Sequence, residues 1–513
     1  MSEPIRVGTG PLRRADVVAV ARDGALVDLD AAAVAAIESA RGIVDKLAAS
    51  ATPAYGVSTG FGALATRHIE QAKRTTLQKS LIRSHAAGSG PPVETEVVRA
   101  LMLLRLSTLA TGHTGVRLET VRALVALLNA GLTPVVREYG SLGCSGDLAP
   151  LSHCALALMG EGEVVDSRGD LRPAGEAMRE HGITPVVLAE KEGLALINGT
   201  DGMLGMLALA LADLDLLLRT ADIAAAMSIE GLLGTDRVLA GDLQALRPHP
   251  GQGVSAANMR AVLAGSSIVA SHRGPEDPRV QDAYSLRCAP QVHGAARDTA
   301  EHAAVVAERE LASAIDNPVV LDDGRVESNG NFHGAPVAYV LDFLAIPVAD
   351  VASMAERRTD RFLDHSRSHG LPPFLADDPG VDSGHMIAQY TQAAMVSELK
   401  RLAAPASVDS IPSSAMQEDH VSMGWSSARK LRKAIDLLGQ VVAIEIVTAA
   451  RGIDLRAPLE PAESTAAVIA ALRERVAGPG PDRFLAPDIE ATTELVRSGA
   501  IVAAAQTATG ALS

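Results

Sequence analysis

The stretch GSLGCSGDLAPLSH, Gly140 to His153, sets a thiol, a hydroxyl, a carboxylate and an imidazole around a run of glycines. Ser145 stands in G-C-S-G rather than in the G-x-S-x-G of a nucleophile elbow, and no doubly wound pattern follows it. Cys144 with His153 as its base would make a thiol nucleophile, but nothing in the sequence orients that histidine. A phosphate cradle needs a lysine after the glycines, and none follows. The plainest local reading is a glycine-rich turn capped by Asp147, with a helix from about Leu148 and Pro150 in its first turn. One further chemistry is open to X-Ser-Gly in a tight turn. The Gly146 amide nitrogen can attack the Cys144 carbonyl carbon and close a five-membered ring, an approach that a Cβ on residue 146 would obstruct. Loss of the Ser145 hydroxyl then leaves an exocyclic methylene, an electrophile that no ordinary side chain supplies.

A turn of this kind has to be held by a scaffold, and the composition provides for one. The chain has 513 residues and 47% hydrophobic content, more than one globular core usually holds, so two domains or one long bundle are expected. Aromatic residues make up only 2%, which leaves core packing to aliphatic side chains. A net charge of -15 repels nucleic acid and anionic membranes, so neither is expected as a partner. Cys144, Cys154 and Cys288 have no metal-ligand spacing and fit reduced thiols in the cytoplasm. The opening residues MSEPIRVGTGPLRR lack an apolar core. The most apolar internal run, Met203 to Leu218, is broken by Asp213 and Asp215 short of a bilayer span, so the chain reads as soluble and untargeted.

Periodicity then assigns the elements. ADVVAVARDGALVDLD alternates like a short hairpin around Asp23-Gly24, and Ala31 to Ala48 takes a helical period. GEVVDSRGDL, Gly162 to Leu171, predicts a second hairpin. Beyond Asp201 nearly everything reads as helix. Between Ser427 and Arg451, Leu431, Ile435, Leu438, Val442 and Ile446 recur at steps of three and four and place one stripe on a long bundle helix. The turn-rich stretches SHRGPEDPRV and ADDPGVDSGH separate helices rather than domains. The expected class is mainly α. A smaller N-terminal domain with short hairpins, residues 1–200, carries the Cys-Ser-Gly turn, and a long helical bundle takes residues 201–513.

The Cys-Ser-Gly turn has company along the chain: YGVSTGFG (Tyr55 to Gly62), SHAAG (Ser84 to Gly88), EGLALINGT (Glu192 to Thr200), QDAYSLRC (Gln281 to Cys288), DNPVV (Asp316 to Val320), NGNFHG (Asn329 to Gly334) and PASVDSIPSSAMQEDHVSM (Pro405 to Met423). In this order and over most of the chain, these blocks resemble the aromatic amino acid ammonia-lyases. The resemblance implies an ammonia-lyase (fumarase/aspartase-like) fold and a 4-methylidene-imidazol-5-one cofactor formed autocatalytically from Cys144, Ser145 and Gly146. Cys144 replaces the common Ala, but only its backbone carbonyl enters the ring. Ser58 and Met416 also depart from the usual residues, Asn or Thr at the first and Asn at the second.

Ammonia is hard to remove from an amino acid because the β-proton is barely acidic and the amine leaves poorly, so an electrophile and a placed base are both needed. By resemblance, Tyr55 abstracts the β-proton. Arg287 holds the substrate carboxylate in a bidentate fork. Asn198, Gln281 and Tyr284 match the polar set around carboxylate, amine and cofactor oxygen, and Phe332 matches the aromatic packed on the ring. His85 and Glu418 match the histidine branch, because an imidazole needs polar partners where a phenyl needs apolar ones. The implied reaction is non-oxidative elimination of ammonia from L-histidine to give trans-urocanate, the first step of histidine degradation. A tyrosine or phenylalanine lyase or aminomutase of the same fold is the alternative, and an acidic helical scaffold or a cysteine hydrolase are rivals from other classes. The resemblance also implies a homotetramer whose active sites draw on more than one chain. No metal is expected: His365 and His369 lie four apart, but in RFLDHSRSHG they read as an exposed face. His293, His333 and His420 flank the motifs and receive no role.

Overall fold

A computed structural model describes residues 3–50, 55–60, 62–64, 66–274, 277 and 280–513. Phe61 of the glycine-rich loop, and Pro275, Glu276, Pro278 and Arg279 of the turn-rich SHRGPEDPRV, lie outside the described residues. Twenty α-helices and a few short strands are present among the described residues, so the mainly α class holds. The chain divides into two compact units. The first comprises residues 1–209, 304–342 and 405–429, and the second residues 210–303, 343–404 and 430–513. The first unit thus takes in two segments that follow the boundary expected near residue 200.

The hairpin expected around Asp23-Gly24 does not form. Arg14–Arg22 is a helix, and Val27–Leu29 pairs in parallel with Ile5–Val7, Ile5 opposite Val27. Spacings of three and four outweigh the local alternation here, because Val17, Val20 and Ala21 turn together into the core. Arg13 and Asp16 close a capping box at the start of this helix. The second hairpin is present: Glu163–Val165 pairs antiparallel with Leu171–Pro173, and Thr133–Pro134 completes that sheet. In the first unit, helix Thr95–Ala110 is buried on every side from Val97 to Ala110. Its two buried arginines, Arg99 and Arg105, both donate to backbone carbonyls. Arg105 bridges Ala195, Asn198 and Ile315 and meets the Asp201 carboxylate at 3.2 Å, which fixes the loop of LINGT.

In the second unit the expected stripe is real: Leu431, Ile435, Leu438, Val442 and Ile446 are all buried on helix Gly424–Asp454. The same helix buries Glu445, which takes Arg358 in a two-point ion pair at 2.5 and 2.9 Å and Ser228 Oγ at 2.7 Å. Removing either charge would strand the other at a cost of about 3–5 kcal/mol. Arg358 Nη1 also donates to the Ser285 carbonyl at 3.2 Å, next to Tyr284. Helix Ala335–Leu363, rather than the run from Met203, is long and apolar enough by length and composition to cross a bilayer; 61% of its apolar window is buried inside the protein, as in a core helix.

Candidate active site

Gly146 has φ +73° and bridges Gly199 in parallel, while Asp147 N–H donates to the Gly199 carbonyl at 2.7 Å. A Cβ on residue 146 would stand 1.9 Å from that oxygen, so conformation and space both demand glycine. At Gly143, φ +67°, the carbonyl accepts from Ser422 Oγ at 2.9 Å and from Gly334 N–H at 3.5 Å. A Cβ there would meet Ser422 Oγ at 2.2 Å. Three segments distant in sequence therefore close on one turn. Among the described residues no acceptor engages the Gly146 N–H.

Asp147 stands just before helix Leu148–Leu158, as the sequence predicts, but its side chain does not cap that helix. The carboxylate accepts instead from Ser141 Oγ at 2.8 Å and from Met203 N–H at 2.9 Å, binding the turn to the start of helix Asp201–Gly231. Complete burial, with Asp201 nearby, pushes its pKa up to about 7. The Cys144 thiol is pushed up to about 12 by burial and by the charge of Glu418, so it is not a nucleophile at neutral pH. His153 is oriented after all, but by the backbone: its Nε2 accepts from Gly88 N–H at 3.1 Å.

Tyr55, His85, Ser145, Asn198 and Glu418 line one cavity of about 650 Å³ in the first unit. Its apolar wall includes Leu77, Leu81 and Leu194. The Tyr55 phenol oxygen accepts from Gly62 N–H at 3.2 Å. His85 Nδ1 lies 3.0 Å from Ser84 Oγ, and that hydroxyl has the Leu81 carbonyl as its acceptor at 3.0 Å. One hydroxyl proton cannot serve both, so the imidazole carries its hydrogen on Nδ1 and leaves Nε2 as an acceptor. Burial lowers the His85 pKa and keeps the ring neutral. Asn198 Nδ2 donates to the Asn317 carbonyl at 3.0 Å, which fixes the amide; its buried Oδ1 has no partner among the described residues. Glu418 Oε2 accepts from Ser413 Oγ at 3.0 Å, within a two-way backbone bridge between the same residues.

The other candidates sit elsewhere. Gln281, Tyr284 and Arg287 lie in the second unit, where Gln281 and Arg287 line a cavity of about 300 Å³. Arg287 Nη1 donates to Gln281 Oε1 at 2.7 Å, and the guanidinium lies 4.6 Å from the centroid of the Tyr284 ring, a cation–π contact. Tyr284 itself is 70% exposed. Phe332 is half-buried in the turn before helix Ala335–Leu363, outside the lining of the first cavity. His365 and His369 are exposed turn residues beyond Leu363, and no group of three or more metal-ligating side chains occurs among the described residues. Sequence reasoning gave no role to Asn317, which both lines the cavity and orients Asn198, nor to Ser413. The signal for Asn317 was its place in DNPVV, and that for Ser413 its place in PASVDSIPSSAMQEDHVSM.

The aromatic amino acid lyase profile matches residues 12–474. The chain belongs to the aromatic amino acid lyase family. It is 69% identical over 507 residues to a histidine ammonia-lyase of Streptomyces avermitilis, with 99% of each chain covered. Among solved structures it matches a tyrosine aminomutase from Streptomyces globisporus with a TM-score of 0.95 at 37% identity, covering 100% of both chains. A histidine ammonia-lyase from Trypanosoma cruzi matches with a TM-score of 0.90 at 40% identity, over 98% of this chain and 95% of that one. Lyases and aminomutases thus share the aromatic amino acid lyase fold, and the choice of reaction rests on the side chains of the cavity.

Proposed function

We propose that this chain is a carbon–nitrogen lyase, a histidine ammonia-lyase, which eliminates ammonia from L-histidine without oxidation to give trans-urocanate. One observation carries the reading: a single cavity joins Ser145 of the Cys-Ser-Gly turn to a phenol, Tyr55, and to His85 and Glu418, a pair suited to an imidazole. The 69% identity to a histidine ammonia-lyase, against 37% to a tyrosine aminomutase, supports histidine over tyrosine.

The 4-methylidene-imidazol-5-one formed by Cys144, Ser145 and Gly146 supplies the electrophile that makes the amine a viable leaving group. Tyr55, with its oxygen held by the Gly62 amide, takes the β-proton. His85 offers Nε2 to an imidazole N–H, and Glu418, braced by Ser413, offers a carboxylate that a phenyl ring could not use. The unpaired Asn198 Oδ1 is an acceptor for the substrate ammonium. The chain works as a cytoplasmic homotetramer, in which Gln281, Tyr284 and Arg287 of another copy complete each cavity and Arg287 binds the substrate carboxylate. Their clustering around one guanidinium supports that role. By the family resemblance, Phe332 would pack on the ring.

The test is a substrate panel followed in the near ultraviolet, with intact mass measured in parallel. Histidine should give urocanate, tyrosine and phenylalanine should be turned over far more slowly, and the protein should be lighter than its sequence by two waters. Ser145→Ala should fold yet lose both turnover and the mass deficit. Preference for tyrosine, or full histidine turnover by S145A, would overturn the reading.

A further inference from the structure

His333 and His420 received no role from the sequence, yet their rings stack with centroids 5.3 Å apart and planes 24° from parallel. His333 Nε2 lies 3.2 Å from His420 Nδ1, and Ala335 N–H points to His333 Nδ1 at 3.4 Å. The amide can only donate, so His333 Nδ1 is bare and its hydrogen sits on Nε2, which donates to His420 Nδ1. Burial, and then the neighbouring His420, lower the pKa of His333 and favour this neutral form.

The pair joins two segments that meet over the Cys-Ser-Gly turn. Gly334 N–H and Ser422 Oγ both reach the Gly143 carbonyl, and Met423 N–H reaches the Leu142 carbonyl. Glu418 lies two residues before His420, at the end of a strained run: Ser414, Ala415 and Met416 all have φ between 51° and 67°, a left-handed conformation costly to non-glycine residues. Such a run persists only where its surroundings tie it down. Ser413 before the run and Glu418 after it are bridged to each other, which closes the run into a small loop but does not fix that loop to the turn.

We infer that the His333–His420 pair ties this closed loop to the segment of Gly334, a clasp that positions Glu418 against the Cys-Ser-Gly turn. The inference rests on the reading of Glu418 as the residue that selects histidine. Neither imidazole is among the residues that line the cavity, so both are positioning residues.

The test is a mutant cycle read as kcat/KM for histidine, with intact mass as a control. Glu418→Gln alone should lose on the order of a hundredfold, the scale of a charged substrate contact. His420→Ala should lose tenfold or more in kcat/KM and keep the two-water mass deficit. In the E418Q background H420A should cost less than twofold further, because there is no longer a carboxylate to position. H420N, whose Oδ1 can accept where Nδ1 did, should recover most of the H420A loss, and H420L should not. Should H420A fail to fold, H333A and H333Q probe the same contact from its donor side, with glutamine able to donate. Unchanged kinetics in E418Q would remove the reading of Glu418. A normal E418Q loss with additive H420A loss, a silent H420A, or loss of the mass deficit in H420A would overturn the clasp while leaving that reading in place.

Discussion

Replacing Gly146 by Ala should uncouple folding from formation of the electrophile, and the structure sets the cost. At φ +73° an alanine is strained by about 1–2 kcal/mol. Its Cβ would also stand 1.9 Å from the Gly199 oxygen and 2.2 Å from the Gly199 carbonyl carbon, both backbone atoms that no rotamer can move. Relief requires the two bridged backbone segments to part, which breaks the 2.7 Å bond from Asp147 N–H to that oxygen in a buried setting, at about 1–3 kcal/mol. The total, about 2–5 kcal/mol, lowers the melting temperature without exhausting the stability of a typical fold. The turn that results no longer presents residue 146 to the Cys144 carbonyl. G146A should therefore be soluble and folded by circular dichroism, carry the full mass of its sequence, and not turn over histidine. Gly24→Ala is the control: φ is +66° but nothing lies within 4 Å of the added carbon, so it meets only the conformational cost and keeps the mass deficit. A G146A protein with the two-water deficit and wild-type turnover would refute the argument.

Cys144→Ala should keep activity within about tenfold, or about 1.4 kcal/mol of barrier, since the side chain stays outside the ring and the loss is limited to one hydrogen bond to Glu418; complete loss with the mass deficit intact would show a direct role. Asp147 has a folded pKa of about 7, above its value in the unfolded chain, so its contribution to stability is present below the unfolded pKa and is lost as pH rises through about 7. The melting temperature of Asp147→Asn should accordingly fall less than that of wild type as pH rises through this window, and identical slopes would exclude the carboxyl as the cause. Met416→Asn should raise the unfolding free energy measured by chemical denaturation by up to about 1 kcal/mol, because Met416 is 67% exposed at φ +67° and asparagine tolerates that conformation better; a lower value would show that Met416 contributes packing.

Much of the fold was legible because its long helices carry their pattern locally. The stripe from Leu431 to Ile446 can be read within one segment, and all five side chains are buried. The failure at Ala15 to Ala21 is equally local in origin. VVAVA satisfies a period of two and a period of 3.6 at once over so few residues, and the tie is broken by helix Thr95–Ala110, against which the segment packs. A partner eighty residues away leaves no trace in the segment itself. The apolar character of helix Ala335–Leu363 was legible too, but the run from Met203 drew attention because its leucines are denser.

The site shows a different division. Gly146 was legible because the Gly199 backbone leaves no room there for a Cβ, and the blocks around Tyr55, His85, Ser145 and Glu418 were legible through their resemblance to one family. What holds them was not legible, because a buried carboxylate or an asparagine looks the same in sequence whether it caps its own helix or another's. Asp147 is the clearest case. Its position before Leu148 predicts a helix cap, and it does satisfy an orphan amide at a helix start, but that amide belongs to Met203. The rule about unsatisfied amides was right, and the chain neighbour was the wrong helix. The same displacement recurs at Gly143, whose partners are Ser422 and Gly334, and at Asn198, whose partner is Asn317. Chemistry in this protein is written in short local motifs, while the positioning of that chemistry is carried by hydrogen bonds between motifs far apart in the chain.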